Sequence, residues 1–500
     1  MTINNPGDSF ELQSISLESR TTPEEDDNED DNDNDLVLHE LDYEESPATD
    51  HDDTGKSSMK MAFMNMSNSI LGAGIIGQPY ATKNCGIFTS LITFVLLTVI
   101  IDWTIRLIII NCKLSATKTY QDTAYKCFGK PGKIVILISQ GFFAIGGSIA
   151  FCIIIGDTIP HVLQSITPSS WIENNALLAL ILKRNTVIVL LTCFISYPLS
   201  LTDNIANLAV SSLFALINMA TIILIIVIHG FTLSKETVSR YTFENPFQGY
   251  VFNPQLFQGI SVISFALVCH HNTSFIYDSL RKPTLDRFTK LTHLSCFISM
   301  ICCALVGVSG DLIFKDNTKG NILNNFPEDD WVINIARVCF GLNMLTTFPL
   351  EIFVVRQVMN DLININKNPE KIAHQPLSQT DNDFDQVDDL EEPKGEEMSY
   401  NKRFWITTLL VFVTMGASLL TCNLGATLEL IGSVSASIMA FIFPVMCYMK
   451  LTDYKSKTLK ENLCGYFVIV FGVLILVISS AQTIVQAINE KGGGDHCKVG

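Results

Sequence analysis

Residues 59–81 read MKMAFMNMSNSILGAGIIGQPYA, a stretch long and apolar enough to enter a bilayer but poorly able to stay helical through its middle. Crossing a hydrocarbon core of about 30 Å takes roughly 17–25 helical residues. Here Gly72, Gly74 and Gly77 lower helix propensity and Pro79 removes a backbone donor. Lipid offers nothing to backbone groups freed in this way, so such a break persists only where it faces protein or a wet cavity. Opened there, the chain presents the amides of Gly72, Ala73, Gly74 and Ile75 at the positive end of a half-helix, an arrangement suited to a carboxylate. Close helix packing through small residues is the competing reading of the same glycines.

Outward from this stretch the apolar runs continue at 85–111, 133–162, 186–201, 204–230, 254–280, 290–314, 331–358, 403–422, 427–450 and 463–488, which makes about eleven spans. The period-two alternation of a membrane β-barrel is absent. Backbone groups in lipid must then be satisfied within helices, so the chain reads as an all-α membrane protein. It divides into an acidic cytosolic tail (1–56), spans one to eight (57–360), an acidic cytosolic linker (361–401), spans nine to eleven (402–489) and a short C-terminal tail (490–500).

The formal net charge of -17 sits in one place: residues 1–56 hold 19 acids and two bases, and the remainder holds 31 of each. Such a tail, with few apolar positions and the run EEDDNEDDNDND, is expected to be disordered, with Ser46-Pro47 as a candidate phosphorylation site and its protein partners open. No basic domain is present to neutralise phosphates, so nucleic acid is not an expected partner; membrane lipid is. The linker 361–401 carries 11 acids and three bases, leaving the apolar part with 28 bases and 20 acids. With a cytosolic N-terminus, Lys and Arg divide 18 to 9 in favour of the cytosolic ends, as the positive-inside rule requires. No basic n-region with a short apolar core begins the chain, so the first span is expected to serve as an uncleaved signal-anchor. The three longer outer loops hold no Cys, which excludes a disulfide framework between them, and no Cys/His spacing suggests zinc or another metal or cofactor.

The sixth span has its own anomaly, SFALVCHHNT from Ser264. Two adjacent His and an Asn near the bilayer midplane are costly and mark a functional candidate, with a satisfied structural histidine as the plainer alternative. If this helix also unwinds, its freed carbonyls accept hydrogen bonds from an ammonium group. The first and sixth spans are corresponding members of two five-helix halves, and paired breaks in inverted repeats point to a transporter site. Amides for a carboxylate and carbonyls for an amine describe an amino acid. Expected substrate contacts are therefore Gly72, Ala73, Gly74 and Ile75 with Phe265, Cys269, His270 and Asn272. Asp102 and Arg106 read as a local ion pair; Asp157, Arg337, Glu351 and Glu429 read as structural before functional. Thr346 and Thr347 lie just before Pro349, placed to ligate a small cation at a helix interruption or to bond their own backbone.

The stretches SNSILGAGIIGQPYA from Ser67 and FALVCHHNTSFIYDSL from Phe265 resemble the amino acid/auxin permease family, in particular its sodium-coupled neutral amino acid transporters and fungal vacuolar amino acid transporters. GDTIP from Gly156, YPLSL from Tyr197, LTTFPLEIFVVR from Leu345 and ELIGSVSASIMAFIFP from Glu429 follow in order. The resemblance implies an inverted five-helix repeat plus one extra helix, similar to amino acid/polyamine/organocation transporters, working by alternating access. It implies Asn68 and Thr347 (or Thr346) as ion-coupling residues, with proton or sodium as the coupling ion, and a vacuolar or lysosomal membrane, the endoplasmic reticulum and plasma membrane being the other locations. The expected function is secondary active transport of neutral L-amino acids; the alternative is an amino acid sensor signalling through its cytosolic tail. No HExxH, GxSxG or P-loop supports an enzyme.

Overall fold

Runs of apolar residues uninterrupted by clustered Gly and Pro become single long helices, because in lipid each backbone donor finds its acceptor only one turn away. The structure, a computed structural model, describes residues 57–201, 208–233, 242, 244, 246–281, 283–365, 398–452 and 459–490. The acidic tail and most of the acidic linker, with the charge-based expectations attached to them, lie outside the described residues. Among the described residues nine helices are long and apolar enough to cross a membrane: Ile87–Leu114, Tyr120–Ile166, Arg184–Leu201, Leu256–Asp278, Leu285–Asn317, Trp331–Asn364, Tyr400–Leu420, Leu424–Leu451 and Asn462–Asn489. The fifth span contributes the shorter apolar helix Leu213–His229, and the first is the broken element Met59–Leu71, Ala73–Gly77 and Gln78–Cys85. These correspond to the eleven expected spans.

Burial sorts the helices. In its most apolar stretch the sixth span is 78% buried and the tenth 72%, against 33% for the ninth and 28% for the eleventh. The sixth and tenth spans therefore run through the centre, with the buried break of the first beside them, and the ninth and eleventh lie outside. On the second span Phe88, Ile92, Val95 and Val99 form an exposed apolar stripe at helical spacing, the face such a helix turns to lipid.

The two broken spans run antiparallel. Ser57, just before the first, donates to the Ser279 carbonyl at 2.7 Å and accepts from the Arg281 amide at 3.0 Å, just beyond the sixth. At the other end Gly259 of the sixth span packs on Ala81, Asn84 and Cys85. This start-to-end pairing is what an inverted repeat demands of its two equivalent helices.

Two elements depart from or extend the sequence expectation. The third span starts after a kink at Gly129 (φ 66°) ahead of Pro131, close to the expected 133, and is preceded by a separate helical segment from Tyr120 that the sequence reading did not include. The eighth helix continues through Pro349 without a non-helical residue and runs to Asn364, so the interruption expected there is absent. Thr346 and Thr347 both donate to the Asn343 carbonyl, at 3.0 and 2.8 Å, the backbone-bonding alternative for these hydroxyls. Cys422, at the end of the ninth span, is disulfide-bonded, whereas the other described cysteines are free.

Candidate substrate site

The first span breaks where its glycines lie. Helix Met59–Leu71 ends at Gly72, a tighter 3-10 turn covers Ala73–Gly77, and helix resumes at Gln78 with Pro79 in its first turn, where a missing N–H costs least. Gln78 Nε2 donates to the Gly74 carbonyl at 2.7 Å, tying the second half-helix back to the break. The sixth span ends its first half at Leu267, passes through extended Val268, and turns again at His270–Asn272 before Thr273–Asp278. A side chain joins the two breaks: Asn272 Nδ2 donates to Ser69 Oγ at 3.0 Å.

Between the breaks lies a cavity of about 280 Å³, at the small end of the roughly 300–1,000 Å³ of ligand sites. Gly72, Ala73 and Gly74 line it from the first span, with Asn68 and Ser69 one turn before them. Phe265, His271 and Asn272 line it from the sixth, Gln140, Phe143, Gly147 and Phe151 from the third, and Thr347 and Glu351 from the eighth. Phe143 stands against both sixth-span rings, 5.4 Å from Phe265 and 4.8 Å from His271 between centroids. The cavity extends past Asn65, Gln121 and Asp361, residues at one end of the bundle.

At the opposite end a larger vestibule of about 1,480 Å³ opens over Tyr80, Lys83, Asn84, Asp157 and Arg337. A packed layer separates it from the cavity. Ile75 and Ile76 are fully buried there, and Gly77 sits against Leu428 and Val262 so closely that a methyl group would come within 2.7 Å of Leu428 Cδ1. The central site is thus accessible from one end and sealed from the other.

Of the ten sequence-selected residues, the structure brings seven to the cavity: Gly72, Ala73, Gly74, Phe265, Asn272, Asn68 and Thr347. Ile75, Cys269 and His270 are buried away from it. His270 Nε2 meets Thr104 Oγ1 of the second span at 2.9 Å. The Cys269 carbonyl, expected to be freed for an ammonium group, accepts from the Asn272 amide at 3.0 Å and from Thr273 Oγ1 at 3.3 Å. The 3-10 turn reuses that acceptor, since a buried carbonyl without a donor is costly.

Sequence reasoning missed the third-span wall and gave too little weight to His271 and Glu351. His271 Nε2 accepts from Asn272 Nδ2 at 2.9 Å and lies 3.9 Å from Glu351 Oε1; the other Glu351 oxygen is buried without a hydrogen-bond partner. An unsatisfied carboxylate oxygen beside a cavity is a ready acceptor for an ammonium group or a cation. The signal for the wall was Phe143, Gly147 and Phe151 at four-residue spacing with Gln140 on the same face.

The remaining polar residues are structural in this state. Asp102 pairs with Arg106 at 2.9 Å, as expected, and also with His293 Nδ1 at 2.9 Å. Asp157 meets Arg184 at 3.4 Å and accepts from Asn321 and Asn324. Glu429 accepts from Gln258 at 3.0 Å and Thr483 at 2.9 Å, cross-linking the tenth span to the sixth and eleventh.

Paired broken helices enclosing a small, partly polar cavity inside an all-helical bundle define a membrane carrier for small molecules. The family follows from comparison: this chain belongs to the transmembrane amino acid transporter protein family, whose model matches residues 55–485. It is 45% identical over 495 residues to vacuolar amino acid transporter 2 of Saccharomyces cerevisiae, covering 98% of this chain and 96% of that one. It is 32% identical over 425 residues to a Danio rerio protein provisionally named sodium-coupled neutral amino acid transporter 11, covering 85% and 86%. The fold matches that of a solved Eremococcus coleocola manganese transporter with a TM-score of 0.52 at 11% identity, over 87% of this chain and 88% of that one. The protein is an integral membrane amino acid transporter, not an enzyme.

Glu351→Gln keeps the shape of the cavity wall and removes its charge. A charge-assisted hydrogen bond contributes about 1.5–3 kcal/mol, so amino acid uptake should fall by roughly 10–100-fold with little change in thermal stability. Uptake at the wild-type rate would show that this carboxylate does not touch the transported species.

Proposed function

We propose that this transporter carries neutral L-amino acids across the vacuolar membrane by alternating access, coupled to a proton or sodium gradient. The observation that carries the reading is the cavity between the two breaks: half-helix ends for the two charged groups of an amino acid, and the rings of Phe143, Phe151 and Phe265 for an uncharged side chain. The backbone of Gly72 to Gly74, which lines the cavity, faces the carboxylate. The negative end of the half-helix Leu256–Leu267, together with Asn272, faces the ammonium group. Asn68 and Thr347 line the same cavity and are the proposed ion-coupling pair.

The vacuolar relative supports the membrane assigned, and the Lys/Arg bias supports a cytosolic N-terminus. The open end of the cavity then faces the cytosol and the vestibule faces the lumen. Uptake of radiolabelled amino acids into proteoliposomes tests the reading. A panel of neutral, basic and acidic substrates is offered under a pH gradient alone or a sodium gradient alone. Saturable accumulation of neutral substrates driven by one gradient is expected; preference for basic or acidic substrates, or accumulation under neither gradient, overturns it.

A further inference from the structure

The second half of the first span, which seals the vestibule from the cavity, is pressed against the seventh span, Leu285–Phe314. Two glycines permit the contact: a methyl group on Gly307 would lie 2.7 Å from Thr82 Oγ1, and one on Gly310 would lie 2.5 Å from Pro79 Cγ. Asp311 is one helical turn past Gly307. Its side chain is 0% exposed, and neither carboxylate oxygen has a hydrogen-bond partner. Across from it Thr82 Oγ1 and Gln78 Oε1 are also buried without partners.

The charged groups acting on Asp311 are Lys83 of the half-helix and Asp316 of the turn after the seventh span. Lys83 attracts a carboxylate here and Asp316 repels it; neither is hydrogen-bonded to Asp311, and Lys83 Nζ donates to the Thr318 carbonyl at 3.3 Å. Cys85 is the other titratable side chain on the half-helix that senses this carboxyl. On the fifth span the titratable group among the described residues is His229, held by Asp330 Oδ2 at 2.6 Å; on the second span Asp102 is paired with Arg106 and with His293 of the seventh. Enclosing an ion here without a hydrogen-bond partner is costly, whereas the neutral acid carries no charge to desolvate.

We infer that Asp311 is a proton-binding positioning residue. With its carboxyl protonated, the half-helix Gln78–Cys85 stays docked and the vestibule side closed; loss of that proton to vestibule water leaves a carboxylate that favours undocking and opening. Motion of the half-helix reaches the substrate site through the Gln78 to Gly74 hydrogen bond, so vestibule pH sets how often the site opens to that side. This holds whichever ion drives transport, and goes beyond the proposed substrate and coupling.

Amino acid exchange in proteoliposomes held at one pH on both sides tests it without any driving gradient. Wild-type exchange should rise by about fivefold or more from pH 5 to pH 8 as the docked state loses population. Asp311→Asn should stay near the wild-type pH 5 rate throughout, and Asp311→Glu should restore a pH-dependent rise. As a check that the Asn variant is folded, its apparent Tm should match wild type at pH 5 and exceed it at pH 8, where wild type must bury a charge. An Asn variant that keeps the wild-type pH profile, a wild type without one, or an Asn variant less stable than wild type at both pH values overturns the inference.

Discussion

Gly74→Val should abolish amino acid uptake, with flux reduced by about 100-fold or more, while the protein still inserts into the membrane. Gly74 lies in the break of the first span against Ala266 of the sixth, and an added Cβ would fall on Ala266 Cβ and within 2.6 Å of its Cα. The obstructing atoms include backbone of a central helix, so the two broken spans must separate. Overpacking of this kind costs about 1–3 kcal/mol, and a displacement of about 1 Å at a reacting or binding centre commonly costs about 100-fold. Gly72→Ala is the control: its Cβ would meet nothing nearer than the Asn68 carbonyl at 3.9 Å, so uptake should fall by less than about tenfold. Radiolabelled uptake normalised to membrane-inserted protein reads both. Equal loss in the two variants would mean that cavity volume, not the contact between the broken helices, limits transport.

Arg337→Met should destabilise the protein more than it impairs the site. Arg337 is fully buried in the eighth span, and its guanidinium donates to the carbonyls of Leu323 at 2.9 Å, Phe326 at 3.1 Å and Pro327 at 3.2 Å, and to Asn334 Oδ1 at 2.7 Å. It folds the segment before the eighth span onto the bundle. Met fills much of the volume but strands these acceptors, each costing about 1–3 kcal/mol where vestibule water cannot reach. A loss of about 2–4 kcal/mol is expected, seen as a drop of more than about 5 °C in apparent Tm in detergent. Arg337→Lys should recover only part of it, since an ammonium cannot span four acceptors as the planar fork does. A Met variant as stable as wild type would show that the segment is held by its apolar packing instead.

The span count and the two breaks were legible because both are local properties. A run of some twenty apolar residues has few alternatives in a bilayer, and Gly72, Gly74, Gly77 and Pro79 act on the backbone of their own turn. Asn68, Gly72 to Gly74, Phe265, Asn272 and Thr347 were named from that pattern and from resemblance, and they meet in one cavity. Which histidine faces the cavity was not legible. Adjacent helical residues point about 100° apart, and the extended backbone at Val268 resets the rotation by an amount that neighbouring residues do not encode. The structure turns His271 inward and gives His270 to Thr104. The third-span wall was overlooked for another reason: Phe143, Gly147 and Phe151 share a face at four-residue spacing, but that helix is buried on most sides, so spacing alone does not say which of its faces meets the cavity.

Sequence by itself determined that this chain is an all-helical membrane protein, where its helices weaken, and that two of the weak points correspond. Hydropathy, glycine and proline act over a turn or a span, and their effect does not depend on what lies opposite. Tertiary structure alone decided which polar groups share a space: Glu351 with His271 at the cavity, Arg337 with its four acceptors, Asp311 against the sealing half-helix. The cost of burying a polar group is set by its partners, and those partners come from spans far away in the chain.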